Sequence, residues 1–259
     1  MTTTLLLLCL AALLAGFVDA VVGGGGLIQL PAMLLLLPGV PVPTVLGTGK
    51  VSSLAGTAAA LRRYLVGGAA GAVRWRVVGA AALAAGVGAL LGARAVSLLP
   101  REVVRPLVLG LLVAMAAYTL WRRDFGQLHR PRLAGGRAYA VAAGLGLSLG
   151  FYDGFFGPGT GSLLLFAFVG GFGYDFLAAS ASAKLVNVAT NLASLSYFIF
   201  TRQVLWAVAL PMAASNMLGS TLGAHLAQRR GTGFVRGLFL VVVSAFILRL
   251  GWDVLGARA

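Results

Sequence analysis

The chain has 259 residues, of which 59% are hydrophobic and 10% are charged, and its mean hydropathy is +0.96. A soluble domain carries about a quarter of its residues as charged side chains, so this composition excludes a soluble protein and indicates an integral membrane protein. The formal net charge of +14 comes from arginines clustered between apolar runs, a pattern that excludes nucleic-acid binding and is typical of loops that meet anionic membrane lipids.

Apolar runs follow one another along the chain in two sets of five. The first set covers about residues 4–22, 27–37, 44–65, 75–98 and 103–121. The second set covers about residues 138–156, 160–172, 176–200, 203–228 and 234–256. We therefore expect an all-α integral membrane protein with a first repeat at 1–122, a basic cytoplasmic linker at 123–136 and a second repeat at 137–259.

Rare residues recur at a fixed spacing in the two halves. The segment GFVD at 16–19 aligns with GFYD at 150–153 at an offset of 134, and the same offset aligns Lys50 with Lys184, the two lysines of the chain. After a three-residue gap the offset becomes 131 and aligns Trp75 with Trp206, Trp121 with Trp252, Arg105 with Arg236, and Gly88 and Gly92 with Gly219 and Gly223. These matches indicate that the chain contains an internal duplication.

The number of runs in each half predicts how the repeats are oriented. An odd number of crossings inverts the second half relative to the first, and the basic loops at 62–76 and 122–137 suit a common cytoplasmic side, although Arg101 and Arg105 would then face outside. The second run of each half is short, since eleven helical residues span about 16 Å, or half a bilayer. We expect two inverted repeats with eight or ten membrane segments, including broken or re-entrant helices.

Glycine-rich breaks separate the first and second runs of each half. The first is Gly23 to Gly26, and the second is GPGTG at 157–161, where Pro158 also opposes helix continuation. Non-helical backbone at membrane depth must be buried in protein or line a polar cavity, and a new helix that begins there offers N–H groups to an anion. The pattern predicts that the following residues bind substrate: Gly24, Gly25, Gly26, Gly159, Thr160 and Gly161.

Polar side chains on the third run of each half extend this prediction. Lys50, Ser53 and Thr57 share one helical face, and Lys184, Asn187 and Asn191 share the matching face of the second half. A cation beside hydroxyl or amide groups suits an oxyanion, and a charge within a membrane segment indicates function. The alternative is that each lysine extends to the membrane interface.

Two acids precede the glycine-rich breaks. Asp19 and Asp153 could be counter-ions of Lys50 and Lys184, or proton sites, because burial favours the neutral form of a carboxylate. They could equally cap the new helices or hold the loops in place. The residue pattern leaves these roles open.

The motifs resemble those of the TauE/SafE family of sulfite exporters, also called the 4-toluene sulfonate uptake permease family. The similar segments are GFVDAVVGGGGLIQLPAMLL with the later GTGK, and GFYDGFFGPGTGSLLLF with SASAKLVNVATN, each lysine lying 31 residues after its aspartate. The resemblance covers nearly the whole chain and implies a multi-pass transporter of the bacterial inner membrane. It also implies sulfur-containing anions such as sulfite, sulfoacetate, taurine-like sulfonates or thiosulfate as substrates.

We therefore expect a secondary transporter that exports such anions by alternating access, with no catalytic residues, metal or cofactor. The inside-negative potential assists the exit of an anion by about 2.3 kcal/mol per charge per 100 mV, whereas import would need a coupling ion, a proton or sodium. A passive anion channel and an importer of another small organic acid remain alternatives, and so does a membrane enzyme, although no nucleophile and base are paired in the sequence. A homodimer is left open.

Overall fold

The computed structural model describes residues 2–100, 102–104, 106–108, 110, 111, 114, 133 and 135–230. Over these residues the regular secondary structure is helical and no strand occurs. Most of the basic linker predicted at 123–136 and the whole apolar run at 234–256 lie outside the described residues, so the domain division remains a prediction.

Four helices whose bounds are described lie in the first half, and helical residues at 102–104, 106–108, 110, 111 and 114 follow them. The four helices are α1 (Thr2–Val22), α2 (Gly26–Leu36), α3 (Val42–Val66) and α4 (Trp75–Leu98), with a short 3-10 turn at Ala69–Gly71. Proline at the start of α3 suits its first turn, where the amide has no intrahelical acceptor. The bounds agree with the predicted runs to within two residues.

Four helices also form the described part of the second half. They are α5 (Gly135–Phe155), α6 (Thr160–Phe166), α7 (Phe176–Phe200) and α8 (206–230), and a π-helical turn at Ala167–Gly171 follows α6. Asp175 caps α7, because its carboxylate accepts a hydrogen bond from the Ala178 amide at 2.8 Å. The new helices α2 and α6 begin at Gly26 and Thr160, the positions related by the repeat offset of 134.

Small residues allow the helices of the two halves to approach closely. A Cβ on Gly88 of α4 would lie 2.2 Å from the Leu147 carbonyl oxygen of α5, and one on Gly219 of α8 would lie 2.0 Å from the Leu13 carbonyl oxygen of α1. Leu13 and Leu147 are themselves related by the offset of 134. This contact of one half on the other thus has a counterpart with the halves exchanged.

Two of the described helices are long and apolar enough to cross a membrane. These are α1 and α4, judged by length and composition. Leucines on their surfaces are exposed in the isolated chain, as expected for a surface that lipid covers, with exposed fractions of 61% at Leu6 and 79% at Leu83. The shorter α2, with eleven residues, has the half-bilayer length that the sequence predicts. Whether it re-enters the membrane remains a prediction.

Candidate functional site

The two glycine-rich breaks meet at the centre of the site. Gly23 has a φ of +81°, and a Cβ there would lie 2.3 Å from the Gly161 carbonyl carbon, so a side chain is excluded by both backbone strain and contact. Ser162 joins the two breaks, because its amide donates to the Gly23 carbonyl at 3.1 Å and its hydroxyl donates to the Val22 carbonyl at 2.8 Å. The start of α2 and the start of α6 are therefore held side by side.

A cavity opens beside these breaks. Its volume is about 60 Å³, measured as the space open to the centre of a water molecule. Since one water needs roughly 10–15 Å³ by this measure, the cavity has room for an anion of about four to six heavy atoms. Its polar lining consists of Asp19, Gln29, Lys50, Ser53, Thr57, Asp153, Asn187, Asn191 and Asn216. Its bulkier apolar lining consists of Leu30, Met33, Val45, Leu46, Phe156 and Pro158.

Lys50 forms an ion pair with an acid of the opposite half. Its Nζ lies 2.7 Å from Oδ2 of Asp153 and also donates to the Asp153 carbonyl at 2.8 Å. Both side chains are buried, with exposed fractions of 7% for Lys50 and 3% for Asp153. Both residues line the cavity.

Lys184 forms the corresponding pair with the halves exchanged. Its Nζ lies 2.6 Å from Oδ2 of Asp19 and also donates to the Asp19 carbonyl. The Asp19 side chain is 17% exposed and lines the cavity, whereas Lys184 is 4% exposed and is absent from the lining. The lysine of each half is therefore neutralised by the aspartate of the other.

These pairs alter the electrostatics expected from the sequence. We expected two ammonium groups directed at one anion, whereas in the structure each ammonium group already contacts a carboxylate. Of the two interpretations of the lysines, extension to the membrane interface does not fit their burial and their acidic partners. Asp19 and Asp153 each contact a lysine of the other half, and their roles in transport remain predictions.

Most of the residues predicted to bind substrate lie on the cavity. They are Gly25, Gly26, Lys50, Ser53, Thr57, Gly159, Gly161, Asn187 and Asn191. Three do not line it: Gly24, Thr160, whose hydroxyl donates to the Gly157 carbonyl at 2.7 Å, and Lys184. Their roles as substrate ligands remain predictions.

The amides of the first turn of α2 are less free than the sequence suggested. The Leu27 amide donates to the Gly24 carbonyl at 3.0 Å, and the amides of Ile28 and Gln29 donate to the Gly25 carbonyl at 3.0 Å. These three amides are satisfied within the turn and are not available to an anion in this conformation.

Sequence reasoning missed two amide side chains, Gln29 of α2 and Asn216 of α8. Oε1 of Gln29 accepts hydrogen bonds from Asn216 Nδ2 at 2.9 Å and from the Ser52 hydroxyl at 3.1 Å, while Gln29 Nε2 donates to the Gly49 carbonyl at 3.1 Å. A lone amide inside an apolar run was the available signal. The positions that match Gln29 and Asn216 in the other half are Leu163 and Ala85, so this network is confined to one side of the cavity.

The arrangement places hydroxyl and amide groups from both halves around one cavity, beside a buried lysine and its carboxylate partner. Among the residues that the structure describes, no three His, Cys, Asp or Glu side chains come together as metal ligands.

Comparison with known proteins finds relatives that are described as membrane transporters. The family profile described as "Sulfite exporter TauE/SafE" matches residues 8–250. The chain is 34% identical to "Probable membrane transporter protein ORF9" of Sinorhizobium sp, over 94% of the chain and 90% of that protein. It is 35% identical to a "Probable membrane transporter protein" of Haemophilus influenzae, over 90% of the chain and 88% of that protein. It is 32% identical to "Probable membrane transporter protein YfcA" of Escherichia coli K12, over 93% of the chain and 87% of that protein. No solved structure matches the chain.

Proposed function

The chain belongs to the TauE/SafE sulfite exporter family of bacterial inner-membrane proteins, and from that premise we propose that it is a secondary transporter of small sulfur-containing anions. The proposed substrates are sulfite, thiosulfate and short organosulfonates such as sulfoacetate or taurine-like compounds. The proposed direction is export, and the proposed mechanism is alternating access.

One observation carries this proposal: both halves supply charged groups of two ion pairs and hydrogen-bonding side chains, and three of the four charged groups line one cavity. Lys50 comes from the first half, and Asn187 and Asn191 come from the second. A charged group in a membrane protein is costly to bury and is retained where it binds or moves a ligand. A lysine whose carboxylate partner an anion can replace provides such a binding site.

The size and lining of the cavity favour small anions. A volume of about 60 Å³ accommodates sulfite, thiosulfate or a one-carbon sulfonate, whereas sulfoacetate, taurine-like compounds and aromatic sulfonates would require the cavity to open. Apolar side chains such as Met33 and Phe156 on the lining suit a short organic tail. Amide groups such as those of Asn187 and Asn216 suit sulfonate or sulfite oxygens.

Two ion pairs that are equivalent when the halves are interchanged support alternating access. The pairs Lys50–Asp153 and Lys184–Asp19 are the same interaction with the halves interchanged, as expected for repeats related by a two-fold axis. If that axis lies in the membrane plane, the repeats are inverted, and rocking one against the other would open the cavity to each side in turn. Small residues at the contacts between halves, such as Gly88 and Gly219, leave the helices close but free of interlocking side chains.

Two measurements test this function. In a thermal-shift screen of the purified protein, sulfite, thiosulfate and sulfoacetate should raise the melting temperature, while neutral sulfones should not, because only a ligand of the folded state stabilises it. In proteoliposomes, a labelled anion that is accepted should show counterflow, in which unlabelled anion on one side drives uptake of label against its gradient. Stabilisation without counterflow would favour a channel. The absence of both stabilisation and counterflow would contradict the proposal.

Lys50→Ala and Lys184→Ala are the variants for both assays. Each removes an ammonium group and leaves a carboxylate near the cavity, so anion binding should be abolished in both. Binding at wild-type affinity in both variants would refute a role for these pairs. Thr221→Ala, an exposed position whose hydroxyl bonds only to its own helix, is the matched control and should bind normally.

A further inference from the structure

The charges around the cavity are balanced only when the residue behind it is included. Lys50, Asp153 and Asp19 line the cavity, and together they carry one net negative charge when all are ionised. The compensating charge belongs to Lys184, which lies behind Asp19 and does not line the cavity. An entering anion therefore meets a lining that is itself negative.

The four charged side chains differ in their exposure. Asp19 is 17% exposed, compared with 3% for Asp153, 7% for Lys50 and 4% for Lys184. Asp19 is thus the charged side chain of this group that water in the cavity reaches best. Its symmetry mate Asp153 is enclosed with its lysine.

A proton on Asp19 would resolve the conflict of charges. With the four groups ionised the cluster is neutral, and one bound monovalent anion would leave it with an uncompensated negative charge within the membrane, which is costly. If water in the cavity delivers a proton to the Asp19 carboxylate, the cluster gains one positive charge and the anion balances it. The neutral carboxyl then also offers an O–H donor to the anion in place of a repelling charge.

We infer that one proton binds Asp19 together with each anion and that the two cross the membrane together. This inference rests on the proposed function and names its coupling ion. A monovalent anion carried with one proton moves no net charge. The membrane potential then does not drive its transport, and export follows the combined gradient of anion and proton.

The surroundings of Asp19 favour a proton over a metal cation. The charged or titratable groups that face it are Lys184 of α7, Lys50 and Tyr64 of α3, and Asp153 of α5, and the Tyr64 hydroxyl donates to the Ala20 carbonyl at 2.9 Å. The neighbouring α2 and α8 contribute the amides of Gln29 and Asn216. A sodium ion at the carboxylate would meet the Lys184 ammonium group 2.6 Å from Oδ2, whereas a proton removes charge there and needs no ligand shell.

The test uses the full chain in proteoliposomes that enclose a pH-sensitive dye. Methanesulfonate and thiosulfate are the probes, because both stay fully ionised near neutral pH and neither carries protons by itself. We expect each methanesulfonate that leaves to take one proton out of the lumen, so that the enclosed dye reports a rise in pH. We also expect its flux to be unchanged by a potassium–valinomycin potential or by replacement of sodium with choline. Binding to the protein in detergent should weaken as the pH rises, because one proton binds with each anion.

Asp19→Asn tests proton coupling while keeping a hydrogen-bond acceptor for Lys184, so that the fold is retained. The amide keeps an oxygen for Lys184 and is permanently uncharged, so methanesulfonate should still bind, with an affinity independent of pH. Its flux should then carry no proton and should respond to the imposed potential. Asp153→Glu, which keeps the negative charge of the enclosed pair, is the matched variant and should retain proton movement.

The outcomes distinguish this inference from the proposed function. Methanesulfonate flux in the wild type without proton movement, or with a response to potential, would overturn the inference and leave the transport function standing. Proton movement that persists in Asp19→Asn, or that is lost in Asp153→Glu, would overturn the assignment to Asp19. Flux of neither probe in the wild type would contradict the transport function and the inference with it.

Discussion

Removing both partners of the Lys50–Asp153 pair should destabilise the protein far less than the sum of the two single removals. Both side chains are nearly enclosed, and the Lys50 ammonium group makes two short contacts with Asp153, at 2.7 and 2.8 Å. Loss of one partner leaves an uncompensated buried charge, which costs about 3–5 kcal/mol, whereas an apolar replacement of both is often close to neutral. We therefore expect each single alanine variant to lose about 3–5 kcal/mol of unfolding free energy. The double alanine variant removes both charges but leaves a cavity, so its loss should be well below the sum of the two single losses.

The assay is a double-mutant cycle with Asp153→Ala, Lys50→Ala and the combined variant, measured by reversible denaturant unfolding in mixed micelles. The same cycle on Lys184 and Asp19 is the internal comparison, and its coupling energy should be smaller because Asp19 is 17% exposed. If the effects of Asp153→Ala and Lys50→Ala simply add in the double variant, the two groups do not interact, and the electrostatic account of the cavity fails.

Other substitutions test the packing of the site. Gly23→Ala should prevent folding or transport, because its Cβ would lie 2.3 Å from the opposite break at a left-handed φ, while Gly24→Ala, whose nearest neighbour is 3.7 Å away, should express normally. Gly92→Ala should lower thermal stability, because its Cβ would lie 2.1 Å from a carbonyl oxygen of α5, and Gly86→Ala on the same helix, at 3.8 Å, should be tolerated. Gln29→Leu should cost about 1–3 kcal/mol of unfolding free energy, because the buried Asn216 amide group loses its acceptor. These contacts would be contradicted if Gly23→Ala or Gly92→Ala behaved like its control variant. They would also be contradicted if Gln29→Leu left the unfolding free energy unchanged.

Local features of the chain were readable from the sequence. Glycines and a proline between apolar runs predicted where α1 and α5 end and where α2 and α6 begin, since such residues interrupt helices whatever surrounds them. Helical periodicity placed Ser53 and Thr57 on the face of Lys50, and the structure has all three on the cavity. These inferences depend on short-range geometry alone.

Features that depend on tertiary packing were not readable in the same way. The repeat offset marks Lys50 and Lys184 as equivalent, yet it cannot tell whether each pairs with the aspartate of its own half or of the other. Pairing across halves follows from the contact between the two breaks, which brings Asp153 to Lys50. Lys184 does not line the cavity, and this too is a consequence of how it packs behind Asp19.

The repeat also concealed an asymmetry. Gln29 and Asn216 have apolar counterparts in the other half, so a search for matched polar residues passes over them. Their hydrogen bonds to each other and to Ser52 make one wall of the cavity polar. Differences between the repeats, rather than their agreement, mark this part of the site.

The most direct measurement of the central claim is the position of a bound anion. Crystals grown with bromomethanesulfonate would give an anomalous signal from bromine and density for the sulfonate. We expect the sulfonate oxygens within hydrogen-bonding distance of Lys50 Nζ and of the amides of Asn187 or Asn216, with bromine toward Met33 and Phe156. Sulfonate density outside this cavity, or an empty cavity at concentrations that saturate transport, would contradict the account.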